Sequence, residues 1–306
     1  MELRHLKTFA AAAERGSFTR AAEALELTQA AVSQQVAALE KGLSAQLFQR
    51  QGRGVQLTEP GRKLYAYARQ ILDLVDEASR QVGETEEELC GVLRIATSTV
   101  PSEWLLPELL AEFRNRWPQV RESLVVSDSR LATAAVEAGE ADVGFVGELP
   151  RSSTLHAQAV AEDELVLVVG AEHPLAGKGT TTLKQLCREA LIVREPGSGS
   201  RRCVERALEE HGISPADLNI AMEVNSNDAI RAAVEQGVGV AFFSQRAIRK
   251  EGNIATIKVR GFRPRRQLYL IRNPDRNPTP PARQFLAFVK EWRSAHFAKR
   301  RRSANK

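Results

Sequence analysis

Four side chains in one short stretch, Gln29, Ser33, Gln34 and Gln35, carry amide or hydroxyl groups and no charge. Such groups pair with the donor and acceptor edges of bases in a DNA major groove, whereas lysine or glutamate all round would describe only a solvated helix. A second set of polar groups lies at three turns that each follow an apolar stretch. These are Ser98-Thr99-Val100-Pro101, the run Glu195-Pro196-Gly197-Ser198-Gly199-Ser200-Arg201, and Asn225-Ser226-Asn227-Asp228. Hydroxyls, amides and free backbone N–H groups at helix starts suit a small anion. Taken singly, each turn also reads as ordinary helix capping; three in one region point to a pocket. The third set is Cys90, Cys187 and Cys203, whose spacing fits neither a metal site nor a close pair. Buried free thiols are the first reading. A redox switch through Cys187 and Cys203, one on each side of the second turn, is the alternative and needs an exposed cysteine of depressed pKa.

Other chemistry is missing. The glycine-serine turn lacks the Gly-Lys-Ser/Thr ending of a phosphate loop, there is no His-Glu-x-x-His, and the five histidines are scattered. No base beside a nucleophile can be named, so an enzyme is not expected, and neither is a metal or cofactor. No apolar run approaches the roughly 20 residues that span a bilayer. The opening Met1-Glu2-Leu3-Arg4-His5 is unlike a signal peptide, so a cytoplasmic location is expected. The net charge of +5 is not itself an argument for nucleic acid. From Lys290 to Lys306 there are seven basic residues against Glu291, a balance of +6, which leaves −1 for the remainder. Residues 297–306 read as a basic, solvated tail.

The uncharged hydrogen-bonders need a helix presented by other helices. Leu3, Leu6, Phe9, Ala10 and Ala13 mark one face of a first helix that Gly16 ends. Ser17 or Thr19 caps a second helix through Ala24, Glu26-Leu27 makes a turn, and Thr28 caps a third helix to about Lys41. In the third, Ala31, Val32, Val36 and Leu39 point inward and Gln29, Ser33, Gln34 and Gln35 outward. A tight turn between two short helices, the second carrying the hydrogen-bonders, suits a groove reader. Leu47 to Leu57 then reads as a hairpin with Arg53 between two glycines at its tip, placed for a minor groove.

The order of these pieces carries a resemblance. The run Ser17-Phe18-Thr19-Arg20-Ala21-Ala22-Glu23-Ala24-Leu25, then Thr28 through Glu40, then Leu47-Phe48-Gln49-Arg50 on to Gly61, strongly resembles the DNA-binding domain of LysR-type transcriptional regulators. The resemblance implies a winged helix-turn-helix at about 1–59, with Thr28, Gln29, Ala30, Ser33 and Gln34 on DNA from the recognition helix and Arg53 from the wing. Many members carry proline where Ala30 stands and arginine where Gln34 stands.

Behind the head, Thr58 caps a helix whose residues Leu64, Ala68, Ile71, Val75, Ala78 and Val82 form a heptad seam. Such a helix is marginal alone and wants a partner, either the sensor domain or a second subunit; the favoured reading is a dimer that sets two heads on an interrupted palindrome. The resemblance implies pairing through this helix, about 60–88, and a homotetramer. Glu84 to Glu88 read as a solvated boundary.

From Gly91 onward strands and helices alternate, which predicts an α/β domain with parallel sheets and helices on both faces. Ligands of such sheets bind beyond the carboxyl ends of strands. This region is similar to the periplasmic-binding-protein-like effector domain of the same family. The expected domain covers about 90–296, with one subdomain at 90–161 and 266–296 and the other at 162–265. The resemblance implies a small effector between them near Ser98, Thr99, Ser198, Ser200 and Asn225, with Arg201 a candidate partner for an anion. The stretch Arg194 to Arg201 is similar to members controlling sulphur assimilation or carbon fixation. The expected function is a sequence-specific regulator on double-stranded DNA, switched by the effector and acting through RNA polymerase recruitment.

Overall fold

A computed structural model of the protein describes residues 2–51, 54–82, 89–248 and 253–304. Three helices open the chain: α1 (Leu3–Arg15), α2 (Phe18–Ala24) and α3 (Gln29–Leu43). Gly16, at φ 58°, closes α1, and Ser17 rather than Thr19 caps α2 by accepting from the Arg20 N–H. Thr28 caps α3 through the Ala31 N–H at 3.1 Å. Leu6, Phe9, Ala12, Ala21, Val32, Val36 and Leu39 are buried between these helices. Strands β1 (Phe48–Gln51) and β2 (Gly54–Leu57) form an antiparallel hairpin, and Phe48 packs its ring against Phe9 and Phe18. Helix α4 (Glu59–Val82) follows, with Thr58 accepting from the Gly61 N–H.

The remainder continues as β3 (Gly91–Ser98), a turn of wide helix at Pro101–Leu105, α5 (Leu106–Arg116), β4 (Val120–Ser127), α6 (Ser129–Ala138) and β5 (Val143–Val146). Next come β6 (His156–Gly170), β7 (Thr180–Thr181), α7 (Leu183–Leu186), β8 (Leu191–Arg194), α8 (Gly199–Glu209), β9 (Ile220–Val224), α9 (Asn227–Glu235) and β10 (Val240–Ser244). The chain ends with β11 (Ile254–Val259), β12 (Arg265–Arg272) and α10 (Pro280–Ala304).

The strand order is β4-β3-β5-β12-β6-β10-β8-β9, with β11 on β6 and β7 on β11. The sheet is mixed, which corrects the expectation of parallel sheets. β3 runs parallel to β4 and β5, and β8 to β9 and β10, but β6 and β12 run against their neighbours. The reason is the long strand β6. Its first part, His156 to Glu164, pairs with β12, and from Leu165 it pairs with β10 and β11. One strand therefore serves two lobes, each with its own core. The first is built on Phe113, Phe145, Phe285 and Phe288 with Leu93, Ile95 and Leu268; the second on Leu165, Leu167, Leu191, Leu208, Val240 and Phe262. At about 1.5–3 kcal/mol for each fully buried large side chain, either core is enough to define a lobe.

Helix α10 runs as far as Ala304, through most of the basic tail read at 297–306. Glu84 to Glu88 lie outside the described residues.

The head is held to the first lobe by charge. Arg69 of α4, 5 % exposed, donates to the Gly139 and Glu140 carbonyls at 3.2 Å and to Asp142 at 3.0 Å. Asp142 also accepts from the Arg94 N–H, and Glu14 of α1 bonds the Arg94 guanidinium at 2.6 Å and accepts from the Tyr65 hydroxyl. Burial, reinforced by Glu14, pushes the Tyr65 hydroxyl up to about 12, so it stays a donor here. Removing one partner of a buried ion pair strands the other, at about 3–5 kcal/mol. Asp142→Ala is expected to cost that much in a denaturant titration; an unchanged midpoint would mean that water satisfies Arg69.

Candidate functional site: a reading face and a cleft between two lobes

On α3, the helix expected to read DNA, Gln29, Ala30 and Gln34 are exposed and Ser33 is half-buried. The Gln29 amide donates to the Ser33 hydroxyl at 3.1 Å, so these two groups are already aligned along one face. Thr28, which caps the helix, is exposed beside them. Gln35 departs from the outward placement expected of it: Thr8 donates to its side-chain oxygen at 2.6 Å, and it joins α3 to α1. Glu40, at the other end of α3, accepts from the Leu47 and Phe48 N–H groups and so fixes where the hairpin leaves the head. Arg53 lies outside the described residues; the strands that flank it are paired through Gln51 and Gly54.

The second site is the seam between the lobes. Ser98, Thr99, Val100, Asp128, Ser129, Arg194, Ser198, Gly199, Ser200 and Arg266 line a cleft of about 10 Å³, room for about one water. The ends of β3 and β8 and the starts of α6 and α8 meet there. At α6 the Asp128 carboxylate caps the helix through the Leu131 N–H, and the Ser129 hydroxyl accepts from the buried Gly147 N–H. At α8 Ser198 stands in the capping position but its side chain does not cap the helix. The first turn of α8 thus offers uncapped N–H groups and the buried hydroxyls of Ser198 and Ser200. Space is tight at Gly199: a Cβ there would come within 3.1 Å of the Gly147 backbone and of the Ser129 hydroxyl, so these neighbours would have to give way slightly.

Of the residues expected around the effector, Ser98, Thr99, Ser198 and Ser200 are brought together here. Asn225 and Arg201 are not among the lining residues. Asn225 is exposed past the end of β9. Arg201 is spent on Glu205, Glu223 and the Arg194 carbonyl, all at 2.7–2.9 Å. Glu205 lies one helical turn along α8, a pairing that the sequence spacing allowed; Glu223 comes from β9, 22 positions away, which the spacing did not reveal.

Sequence reasoning missed the two arginines that do line the cleft. Arg194, at the end of β8, is 5 % exposed and donates to Glu195, Asn227 and Thr99. Asn227 donates in turn to both oxygens of Glu103, and the Arg246 guanidinium lies 4.4 Å from the Trp104 ring centre. Arg266, on the floor, is paired with buried Asp163, which also accepts from Ser244 at 2.5 Å. Both arginines end or begin strands whose apolar pattern drew attention away from them.

The thiols give no support to a switch. Cys203 is buried, and burial pushes its thiol above the ordinary value, opposite to an activated thiolate; Cys187 is half-buried and both are free. Among the described residues no group of three metal-ligating side chains gathers, and no helix is long and apolar enough to cross a membrane.

With this geometry the family can be decided. Residues 3–62 match the bacterial regulatory helix-turn-helix protein of the lysR family, and residues 86–294 match the LysR substrate binding domain. The chain belongs to the LysR family of transcription regulators. A LysR regulator of this kind binds DNA through its head and is not an enzyme. The RuBisCO operon transcriptional regulator of Allochromatium vinosum is 34% identical over 296 residues, covering 94% of this chain and 95% of its own. Full-length CbnR, in complex with its target DNA, superposes with a TM-score of 0.66 at 27% identity, over 95% of this chain and 99% of its own. The Synechocystis CcmR regulatory domain in complex with 2-PG gives 0.59 at 29% identity, over 65% of this chain and 95% of its own.

Burial raises the Glu103 carboxyl above the ordinary glutamate value, against the opposing hydrogen bond from Asn227. A carboxyl that holds its proton more tightly when folded contributes stability below the ordinary range and loses it as pH rises through the raised value. Glu103→Gln removes that loss. The melting temperature of Glu103→Gln relative to wild type is therefore expected to climb as pH rises above the ordinary glutamate range of about 4; a difference that stays constant as pH rises would contradict the assignment.

Proposed function

We propose that this LysR-family protein is a sequence-specific regulator whose heads read an interrupted palindrome and whose cleft takes a small anionic effector. The observation that carries the first part is the capped helix α3, with Gln29, Ala30 and Gln34 exposed and uncharged beside a braced hairpin. CbnR, seen on its target DNA, is a precedent for the whole arrangement. In this reading Thr28, Gln29, Ala30, Ser33, Gln34 and Arg53 contact DNA. Phosphate contacts position the head and a few base contacts specify the site.

The uncapped start of α8 and the buried hydroxyls of Ser98, Ser198 and Ser200 favour an anion, and CcmR with 2-PG is a precedent for a small ligand on this fold. The effector domain is read as two subdomains whose strand β6 changes partners between Glu164 and Leu165, close to the boundary expected near 161. Closing or opening them changes the spacing between heads, and with it the path of the DNA and the recruitment of RNA polymerase. The RuBisCO operon regulator among the relatives makes carbon-fixation genes the first targets to try, and the DNA-binding role supports reading the protein as cytoplasmic.

Self-association supplies the second head. Leu64, Ala68 and Ile71 of the seam are already used against the head core, so a partner helix would pair mainly on the later turns, where Leu74 is 64% exposed. The end strands β4 and β9 also carry exposed apolar residues (Leu124, Val125, Val126; Ile220, Met222), which supports a dimer or tetramer rather than a lone chain.

Gln29→Ala is expected to weaken binding to the cognate site by about 1–3 kcal/mol and binding to scrambled DNA far less. The measurement is a salt-controlled titration on the protein's own upstream intergenic DNA with scrambled competitor. Equal losses on both DNAs would reassign Gln29 to backbone contact or folding, and equal wild-type affinity for both would contradict specific recognition of that region.

A further inference from the structure

We propose that Arg194 is the anchor for the effector's acidic group and that Glu195 is its internal stand-in, occupying the guanidinium until the effector displaces it. The proposal rests on the reading of the cleft as an anion site and deepens it.

Arg194 faces the cleft and is almost wholly buried, and its donors are shared unequally. Nε gives 2.8 Å to one Glu195 oxygen and a terminal nitrogen gives 2.9 Å to the other, a two-pronged fork on a carboxylate. The remaining bonds reach Asn227 at 2.8 Å and Thr99 at 3.0 Å. Thr99 follows β3 of the first lobe; Asn227 starts α9 of the second and grips Glu103 of the first. The guanidinium is therefore a pin across the cleft mouth, and a carboxylate from the adjacent residue saturates its bidentate edge.

That carboxylate is the replaceable partner. Thr99 and Asn227 are fixed by the lobes that carry them, whereas Glu195 opens the turn that leads through Pro196 and Gly197 to α8, and Gly197 stands at φ 104°. The Glu195 side chain keeps 19% of its surface in solvent while that of Arg194 keeps 6%. The cleft as it stands holds about one water, so an effector enters only as Glu195 swings out and the lobes part. A ligand carboxylate or phosphate can then take the same two N–H groups, with the uncapped first turn of α8 bordering the cleft for a second acidic group. Release of Glu195 to solvent then accompanies entry of the effector. Ligands without a two-oxygen acid group cannot compete with Glu195, which makes the pair a filter for acid class as well as an autoinhibitory contact.

The test is calorimetric titration of full-length protein with inorganic phosphate and with 2-PG, each variant first shown to melt cooperatively. Glu195→Gln removes the competing charge and is expected to bind either probe about tenfold more tightly than wild type, while Arg194→Gln loses about tenfold or more. The double variant is expected to bind like Arg194→Gln, because the gain exists only while the guanidinium is present. A purely structural pin would give no gain on Glu195→Gln. Unchanged or weaker binding by that variant overturns the proposal. Binding that survives Arg194→Gln but is abolished by Gly199→Val, which fills the cleft, overturns Arg194 as anchor and leaves the cleft as the anion site. If neither wild type nor Glu195→Gln takes up either probe, the anion reading of the cleft falls, and the proposal with it.

Discussion

Everything behind the head turns on one buried ion pair under the cleft. Asp163 of β6 and Arg266 of β12 face each other across the register of two strands, with the Ser244 hydroxyl of β10 on the free carboxylate oxygen. Both charges are almost wholly out of water, so neither can be lost without stranding the other. The pair sits one residue from the point where β6 leaves β12 for β10. It therefore pins three strands at the joint between lobes and presents Arg266 to the cleft floor. A charge pair is directional in a way that an apolar contact is not, which suits a joint that must keep register while the lobes on either side shift.

From that joint the cleft connects to the head through a single helix. Asp128 and Ser129 at the start of α6 line the cleft; at its other end the Glu137 and Ala138 carbonyls of the last turn accept from Arg276, and the Gly139 and Glu140 carbonyls just past it accept from Arg69 of α4. Two arginines at the C-terminal end of a helix are where its dipole favours cations. Gly139 closes the helix at φ 74°, a left-handed conformation that favours glycine. A helix of ten residues, about 15 Å long, thus has the cleft proposed for the effector at one end and α4 at the other. If the first lobe moves relative to the second when the proposed effector binds, the Arg69 bonds give that movement a direct path to α4, which leads to the head.

The head was legible in the sequence almost residue by residue. Gly16, Ser17, Thr28 and Thr58 are punctuation whose meaning is local, and the apolar spacing around them has only one way to bury Leu6, Phe9, Val32 and Val36. Gln35 escaped because its partner Thr8 lies 27 positions away. The effector region was legible as alternation but not as topology. The first half of β6 is too polar to read as a strand, yet its pairing with β12 makes the sheet mixed; β7, at two residues, is too short for a periodic signal, and the alternation of Ala255, Ile257 and Val259 in β11 says nothing of its partner β6. The same limit governs the site. Hydroxyls at turns can be found from sequence, so Ser98, Thr99, Ser198 and Ser200 were. Arg194 and Arg266 gain their significance from Glu103, Asn227 and Asp163, which only the fold brings near.

The claim that filling the cleft alters DNA through α6 and Arg69 is tested most directly by the bend angle of bound DNA. It is read from the gel mobility of circularly permuted fragments, with and without saturating 2-PG, for wild type and Arg69→Met. The account predicts that 2-PG changes the angle with wild type and leaves it unchanged with Arg69→Met, although both proteins bind 2-PG. The same change in both proteins, or no change in wild type with 2-PG bound, would contradict it.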